Sequence, residues 1–200
     1  MNPSPKAVLV LLAALAASPV TARADQRVLV LDSAASKVSF TLEATAHDVE
    51  GTMAVKSGRI VFDPATGAAS GEIALDLQSA RTGNDSRDKT MQQDVLESAK
   101  FPLAVFRVEK LRGEVAPAGT SQVTLDGTLS FHGADHELSL PARVDVQNGR
   151  VKAETSFPIP YVEWGLHDPS ILLLRVAKVV SVKVLAEGSL EAADARGGAR

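Results

Sequence analysis

The feature that most constrains this chain is a period of two in its apolar residues, repeated along most of its length. Val38, Phe40 and Leu42 alternate with Lys37, Ser39, Thr41 and Glu43. Ile60 and Phe62 alternate with Arg59, Val61 and Asp63, and Ile73, Leu75 and Leu77 with Glu72, Ala74, Asp76 and Gln78. The pattern returns at Phe106 and Val108, and again at Val123, Leu125, Gly127 and Leu129. Leu138 and Leu140, Val144 and Val146, and finally Val180, Val182 and Val184 complete it. Successive side chains of a strand point to opposite faces, so each run has one face to bury. Asp63-Pro64 with Gly67, and Asn148-Gly149, supply turns between runs. One-sided strands closed by tight turns pack as an antiparallel sandwich or barrel. The expected fold class is therefore all-β.

One segment breaks the rhythm. Residues 87–99, RDKTMQQDVLESA, show no alternation and are rich in helix formers. Met91, Val95 and Ala99 fall at i, i+4 and i+8, one face of a helix, and Pro102 closes it. Asp85 or Ser86 offers an N-cap, and Asp88 suits the positive end of the helix dipole. A short amphipathic helix in an all-β chain covers an edge or plugs an end.

The N-terminus reads as a cleavable export signal over residues 1–24. Lys6 and the α-amino group precede an apolar run over residues 7–17, Pro19 breaks it, and Ala22-Arg23-Ala24 gives the small-x-small cleavage pattern. The run is about eleven residues, against roughly twenty for a membrane-spanning helix. The expected location is the periplasm, with outright secretion as the alternative. Losing this segment leaves 176 residues, with 19 basic against 24 acidic. That balance argues against nucleic acid and against anionic lipid surfaces, and no other segment suggests stable membrane insertion. With no Cys, the fold has neither disulfide nor thiol chemistry and must be held by its core. Aromatics are 4% of the chain, too few for a base- or sugar-stacking platform. Residues 25–188 form one expected domain, and the small, polar segment 189–200 reads as a disordered tail.

Several short motifs then fall in order. Ser36-Lys37-Val38-Ser39-Phe40 and Gly58-Arg59-Ile60-Val61-Phe62-Asp63 are followed by Thr82-Gly83-Asn84 with Arg87-Asp88. Phe101-Pro102 with Phe106 comes next, then Leu125-Asp126-Gly127-Thr128-Leu129-Ser130-Phe131-His132-Gly133 and Trp164-Gly165-Leu166. Together they resemble the YceI-like family of exported lipid-binding proteins over residues 28–188. The resemblance implies an extended antiparallel, lipocalin-like β-barrel with one short inserted helix. Its channel would hold an amphiphile such as a polyisoprenoid, an isoprenoid quinone or a fatty acyl compound. The chain departs from the family near its start: His47 is displaced from the usual histidine, and Met53 stands where an aromatic is common.

Candidate ligand-binding residues are Phe40, Leu42, Phe62, Ile73, Leu75, Phe106, Leu125, Leu129 and Val182 on inward faces, with Asn84, Arg87 and Trp164 near a barrel end. An eight-stranded barrel is either just filled by side chains or just holds one small ligand. Mid-sized Val, Leu and Ile dominate these faces, which suits a channel as well as a packed core. Arg87 and Asn84 meet a ligand head group in one reading; in the other, Arg87 pairs with a carboxylate and ties the helix to the barrel. Trp164, the single tryptophan, either lines the cavity or seals one end.

A second function class is open. His132 and His136 flank Gly133-Ala134-Asp135, an expected turn, and with His47 they offer a metal-binding site or a metal-dependent enzyme. The bland alternative is two exposed turn histidines. A third reading is a partner protein docked on a barrel edge. No nucleophile elbow, phosphate loop or paired-histidine helix is present, so catalysis is not expected and no cofactor is implied. The leading expectation is a carrier for an amphiphilic small molecule, with a homodimer left open.

Overall fold

The computed structural model describes residues 26–45, 47–170 and 175–192, so the expected export signal lies outside the described residues. Nine strands and one short helix follow one another: β1 (Arg27–Leu31), β2 (Lys37–Leu42), β3 (Val49–Phe62), β4 (Ala68–Arg81), α1 (Asp85–Thr90), β5 (Leu103–Arg112), β6 (Gly119–Phe131), β7 (Ala134–Gln147), β8 (Arg150–Ile159) and β9 (Val180–Ala192). Every pairing is antiparallel, and β3 pairs with β4, so the sheet closes on itself. β1 and β2 occupy one position between β3 and β9, β1 at one end and β2 at the other. Nine strands thus make an eight-position closed barrel. The all-β, lipocalin-like expectation holds.

The two ends differ. At the base, Arg27 of β1 is in register with Phe62 and with Ala192, so both ends of the described chain meet there. The turn at Asn148-Gly149 also lies at the base, and both residues take the positive φ of a tight hairpin (51° and 75°). At the opposite end lie the helix, the β6–β7 turn and the long connection from β8 to β9. Core side chains concentrate toward the base, where Leu31, Ile60, Phe62, Val108, Leu111, Val123, Val146 and Val151 are all buried.

The structure departs from the expected pattern in three places. In β4, pairing with β3 slips between Thr52↔Arg81 and Ala54↔Asp76, leaving residues 77–80 outside the ladder. Ser79 Oγ takes over by accepting the Ala54 N–H at 2.8 Å. The bulge breaks the strict alternation, so Leu77 and Ala80 are both buried whereas Ile73 and Leu75 are only half-buried.

The helix is shorter and earlier than 87–99. Asn84, not Asp85 or Ser86, is its cap, its Oδ1 accepting the Arg87 N–H at 3.0 Å. After Thr90 the helix widens into a π turn, Met91–Val95, in which the Leu96 N–H reaches back to the Met91 carbonyl at 2.8 Å. Glu97 then takes φ 43° and ends it. The third departure is the tail: β9 runs through Ala192, so residues 189–192 are paired strand, and 193–200 lie outside the described residues.

The barrel wall is not uniform. β7 pairs with β8 only over residues 142–147 and with β6 along its whole length. Above Pro141 the two strands part; Thr155 Oγ1 still donates to the Pro141 carbonyl at 2.7 Å. Beyond that point β8 pairs with β9 alone, up to Ile159. Pro158 lies within this stretch, opposite Ser181, and Pro160 follows it; proline cannot donate to a second ladder there.

Candidate functional site

Away from the base the barrel interior opens into one large cavity of about 680 Å³. Its walls are Phe40 and Leu42 of β2, Val49 and Met53 of β3, Leu75 and Leu77 of β4, Ala104 of β5, Leu129 and Phe131 of β6, Phe157 and Ile159 of β8, and Val180 and Val182 of β9. The inserted segment supplies Met91, Val95 and Leu96 from the apolar helix face, and the β8–β9 connection adds Tyr161, Leu166, Pro169 and Val176.

The cavity stops at a definite level. The next inward residues toward the base are Val38, Val55 and Phe106, and they are buried core. Phe106 is in register with Leu129, and its ring tip lies 3.1 Å from where a Cβ on Gly127 would stand. The bare glycine gives the ring its place, and the ring closes the cavity floor. Phe40 is held the same way: a Cβ on Gly51, its register partner, would sit 2.2 Å from Phe40 Cζ.

Polar residues gather at the mouth: Thr82, Asn84, Ser86, Arg87, Thr90, His47 and Arg175. Arg87 is half-buried, its Nε donating to Thr82 Oγ1 at 2.8 Å and its Nη2 to the Thr82 carbonyl at 3.1 Å. The Thr82 hydroxyl and N–H both donate to Asp88 Oδ1, at 2.6 and 2.7 Å. Asp88 is 7% exposed, and these Thr82 hydrogen bonds hold its carboxyl below the usual range against the opposing pull of burial. Of the two readings of Arg87, the carboxylate is present but is reached through Thr82. Among the described residues, Arg87 and Arg175 make no ion pair and no Asp or Glu lines the cavity, so the charged side chains facing the mouth are these two arginines, with the Asp88 carboxylate behind Arg87.

Seven of the twelve expected binding residues line this cavity: Phe40, Leu42, Leu75, Asn84, Arg87, Leu129 and Val182. Phe62, Phe106, Ile73 and Leu125 lie nearer the base, Phe62 and Phe106 as buried core, Ile73 opposite Phe106 and Leu125 opposite Leu140. Trp164 does not line the cavity. It stacks on His136, ring centroids 3.7 Å apart, and meets Phe131 edge-on at 6.3 Å. It therefore packs on the β6–β7 hairpin at the mouth end.

The three histidines do not converge. His47 is exposed on the β2–β3 connection, His132 Nε2 meets Glu97 Oε2 at 2.9 Å and packs on Phe101, and His136 lies under Trp164. Among the described residues no group of three or more His, Asp or Glu stands close enough to hold a metal ion. The reason is local: His132-Gly133 is itself the two-residue turn, with φ 51° and 80°, so His132 sits at the turn and His136 within β7.

Residues 29–188 match the family model of the YceI-like domain. The chain belongs to the YceI-like family. Solved structures agree on the fold. A protein called BcnA from Burkholderia cenocepacia is 23% identical, with TM-score 0.63 over 78% of this chain and 98% of its own. A polyisoprenoid binding domain from Saccharophagus degradans, implicated in plant cell wall breakdown, is 19% identical, with TM-score 0.62 over 84% and 100%. The YCEI protein of Campylobacter jejuni is 20% identical, with TM-score 0.56 over 70% and 84%. No curated protein matches the chain.

Within this YceI-like barrel, the sequence reading missed lining residues of two kinds. Leu77, Phe131 and Val180 carried a signal, since they lie in the same alternating runs; Met53 did not, because the irregularity between Val55 and Ser57 puts it out of phase with Ile60 and Phe62. Met91 and Val95 carried one too, as the apolar helix face. Arg175, Tyr161 and Leu166 come from the irregular β8–β9 connection, where no periodicity points inward.

Proposed function

We propose that this protein binds one amphiphilic lipid in the barrel cavity and carries or sequesters it in the periplasm. The ligand class is a polyisoprenoid, an isoprenoid quinone or a fatty acyl compound. The observation that carries the reading is the one-ended cavity of about 680 Å³, apolar along its walls and polar only at its mouth. Sites that hold small molecules have this size and this balance of apolar wall to few polar groups. Each buried methylene contributes about 0.8 kcal/mol, so a long chain reaches micromolar affinity, about 8 kcal/mol, after ordering losses. The family and the polyisoprenoid binding relative support the ligand class. The family is one of binding proteins, and binding without catalysis is the reading adopted here. The signal-like residues 1–24 support export.

The test is extraction and mass spectrometry of protein purified from an exporting host. A lipid recovered in near-stoichiometric amount is the expected result. Protein that emerges free of lipid and shows no thermal shift with any long-chain amphiphile overturns the binding reading. Cell fractionation with mass measurement checks the location, the expected product being a periplasmic chain that begins at Asp25.

A further inference from the structure

Resting on that reading, we infer that the cavity measures its ligand: it takes a single chain of roughly twenty carbons carrying one oxyanion head group. Length follows from volume. A methylene occupies about the space of a water molecule, roughly 30 Å³, so a cavity of 680 Å³ fits on the order of twenty of them. The floor is rigid, because Phe106 is 6% exposed and seated on Gly127, with Val38 and Val55 buried at the same level. Interiors packed in this way do not yield to an extra methylene without strain. Carbons beyond that length must leave through the mouth and gain nothing from the wall.

The head group follows from charge. The cationic lining residues Arg87 and Arg175 lie at the mouth, and among the described residues no carboxylate lines the cavity. Asp88 stands behind Arg87 and offsets part of its charge, whereas Arg175 has no such neighbour in an ion pair among the described residues. Arg87 is also fixed in place, with Nε and Nη2 spent on Thr82 and Nη1 left without a hydrogen bond among the described residues. A guanidinium held beside an apolar cavity suits a carboxylate or a phosphate, the two sources of one oxyanion chemistry. A quaternary ammonium head would meet like charge there.

The test uses the delipidated full chain and unbranched alkyl carboxylates, phosphates, alcohols and trimethylammonium compounds, titrated below their micelle concentrations. Affinity for the anions should rise up to about fourfold per methylene and level off near twenty carbons. Ala104→Leu, which adds bulk just above the floor, should move the levelling point to shorter chains, and Phe106→Leu to longer ones. The double change Arg87→Gln with Arg175→Gln should lower carboxylate and phosphate affinity tenfold or more and leave the alcohol of the same length unchanged. The tighter of the two anions identifies the source of the head group. Affinity that keeps rising past about twenty-eight carbons, or a levelling point that ignores Ala104→Leu, overturns the ruler. Trimethylammonium compounds that bind as tightly as carboxylates overturn the head-group assignment. Failure of every chain at every length overturns the underlying lipid-binding reading instead.

Discussion

The indole of Trp164 lies flat on the imidazole of His136, their planes within 10° and their centroids 3.7 Å apart. His136 belongs to β7 above the point where that strand leaves β8, and Trp164 to the turn that follows β8. The stack is a side-chain link across strands whose backbones no longer pair. Trp164→Ala should cost about 2 kcal/mol, less than a fully buried tryptophan because the ring is only partly covered. Urea denaturation measures it. Ligand affinity should change little, since the indole is not on the cavity wall, and a large loss of affinity would contradict that placement.

Gly51→Ala tests how Phe40 is held. The new methyl would meet Phe40 Cζ at 2.2 Å and the Arg81 carbonyl oxygen at 2.7 Å. The ring must move into the cavity or the strand must shift, at a cost of about 1–3 kcal/mol. Thermal denaturation should show the loss of stability, and ligand titration a weaker complex.

Asp88 gives acid dependence with a definite sign. Its folded carboxyl titrates below the usual range because Thr82 donates to it twice. Its contribution is therefore complete above the ordinary carboxylate value of about 4 and is lost as pH falls through the folded value. Asp88→Asn should cost about 1.5–3 kcal/mol at neutral pH. Chemical denaturation at neutral and acid pH should show the difference between variant and parent shrinking in acid.

Tyr161 sets the alkaline side. Burial, and then the nearby charge of Asp168, push its phenol up to about 12, and its hydroxyl donates to the Ala177 carbonyl at 3.0 Å. An unfolded tyrosine ionises near 10, so stability is unaffected below about pH 10 and falls above it by up to about 1.4 kcal/mol per pH unit. The chain has a single tyrosine, so ultraviolet titration reads this group alone. A midpoint near 10 in the folded protein would contradict the placement, and Tyr161→Phe should remove the alkaline slope.

Much of the barrel was legible because alternation is a local property. Val38, Phe40, Leu129 and Val182 could be assigned to the interior from their neighbours alone. Alternation does not say how far along a strand the interior is filled. Phe62 and Phe106 carry the same pattern as Phe40, yet they form floor and core while Phe40 lines the cavity. The difference lies in how far along the barrel each stands and in which strands stand opposite. The metal reading of His132 and His136 failed for a related reason. Four residues of separation put ligands together on a helix, but here a two-residue turn and a strand carry them to different neighbours. Arg175 left no trace in any pattern, since its connection to Thr45 joins segments 130 residues apart.

Arg27 and Ala192 stand side by side at the base, at the far end of the molecule from the cavity mouth. Both ends of the described barrel therefore lie on the side away from the opening. The protein can be fixed to a bead, an electrode or a sensor chip through a linker after Ala192, and the opening will still face the solution. A tag needs no removal before ligand exchange is followed, and two such barrels joined end to end would present their openings in opposite directions.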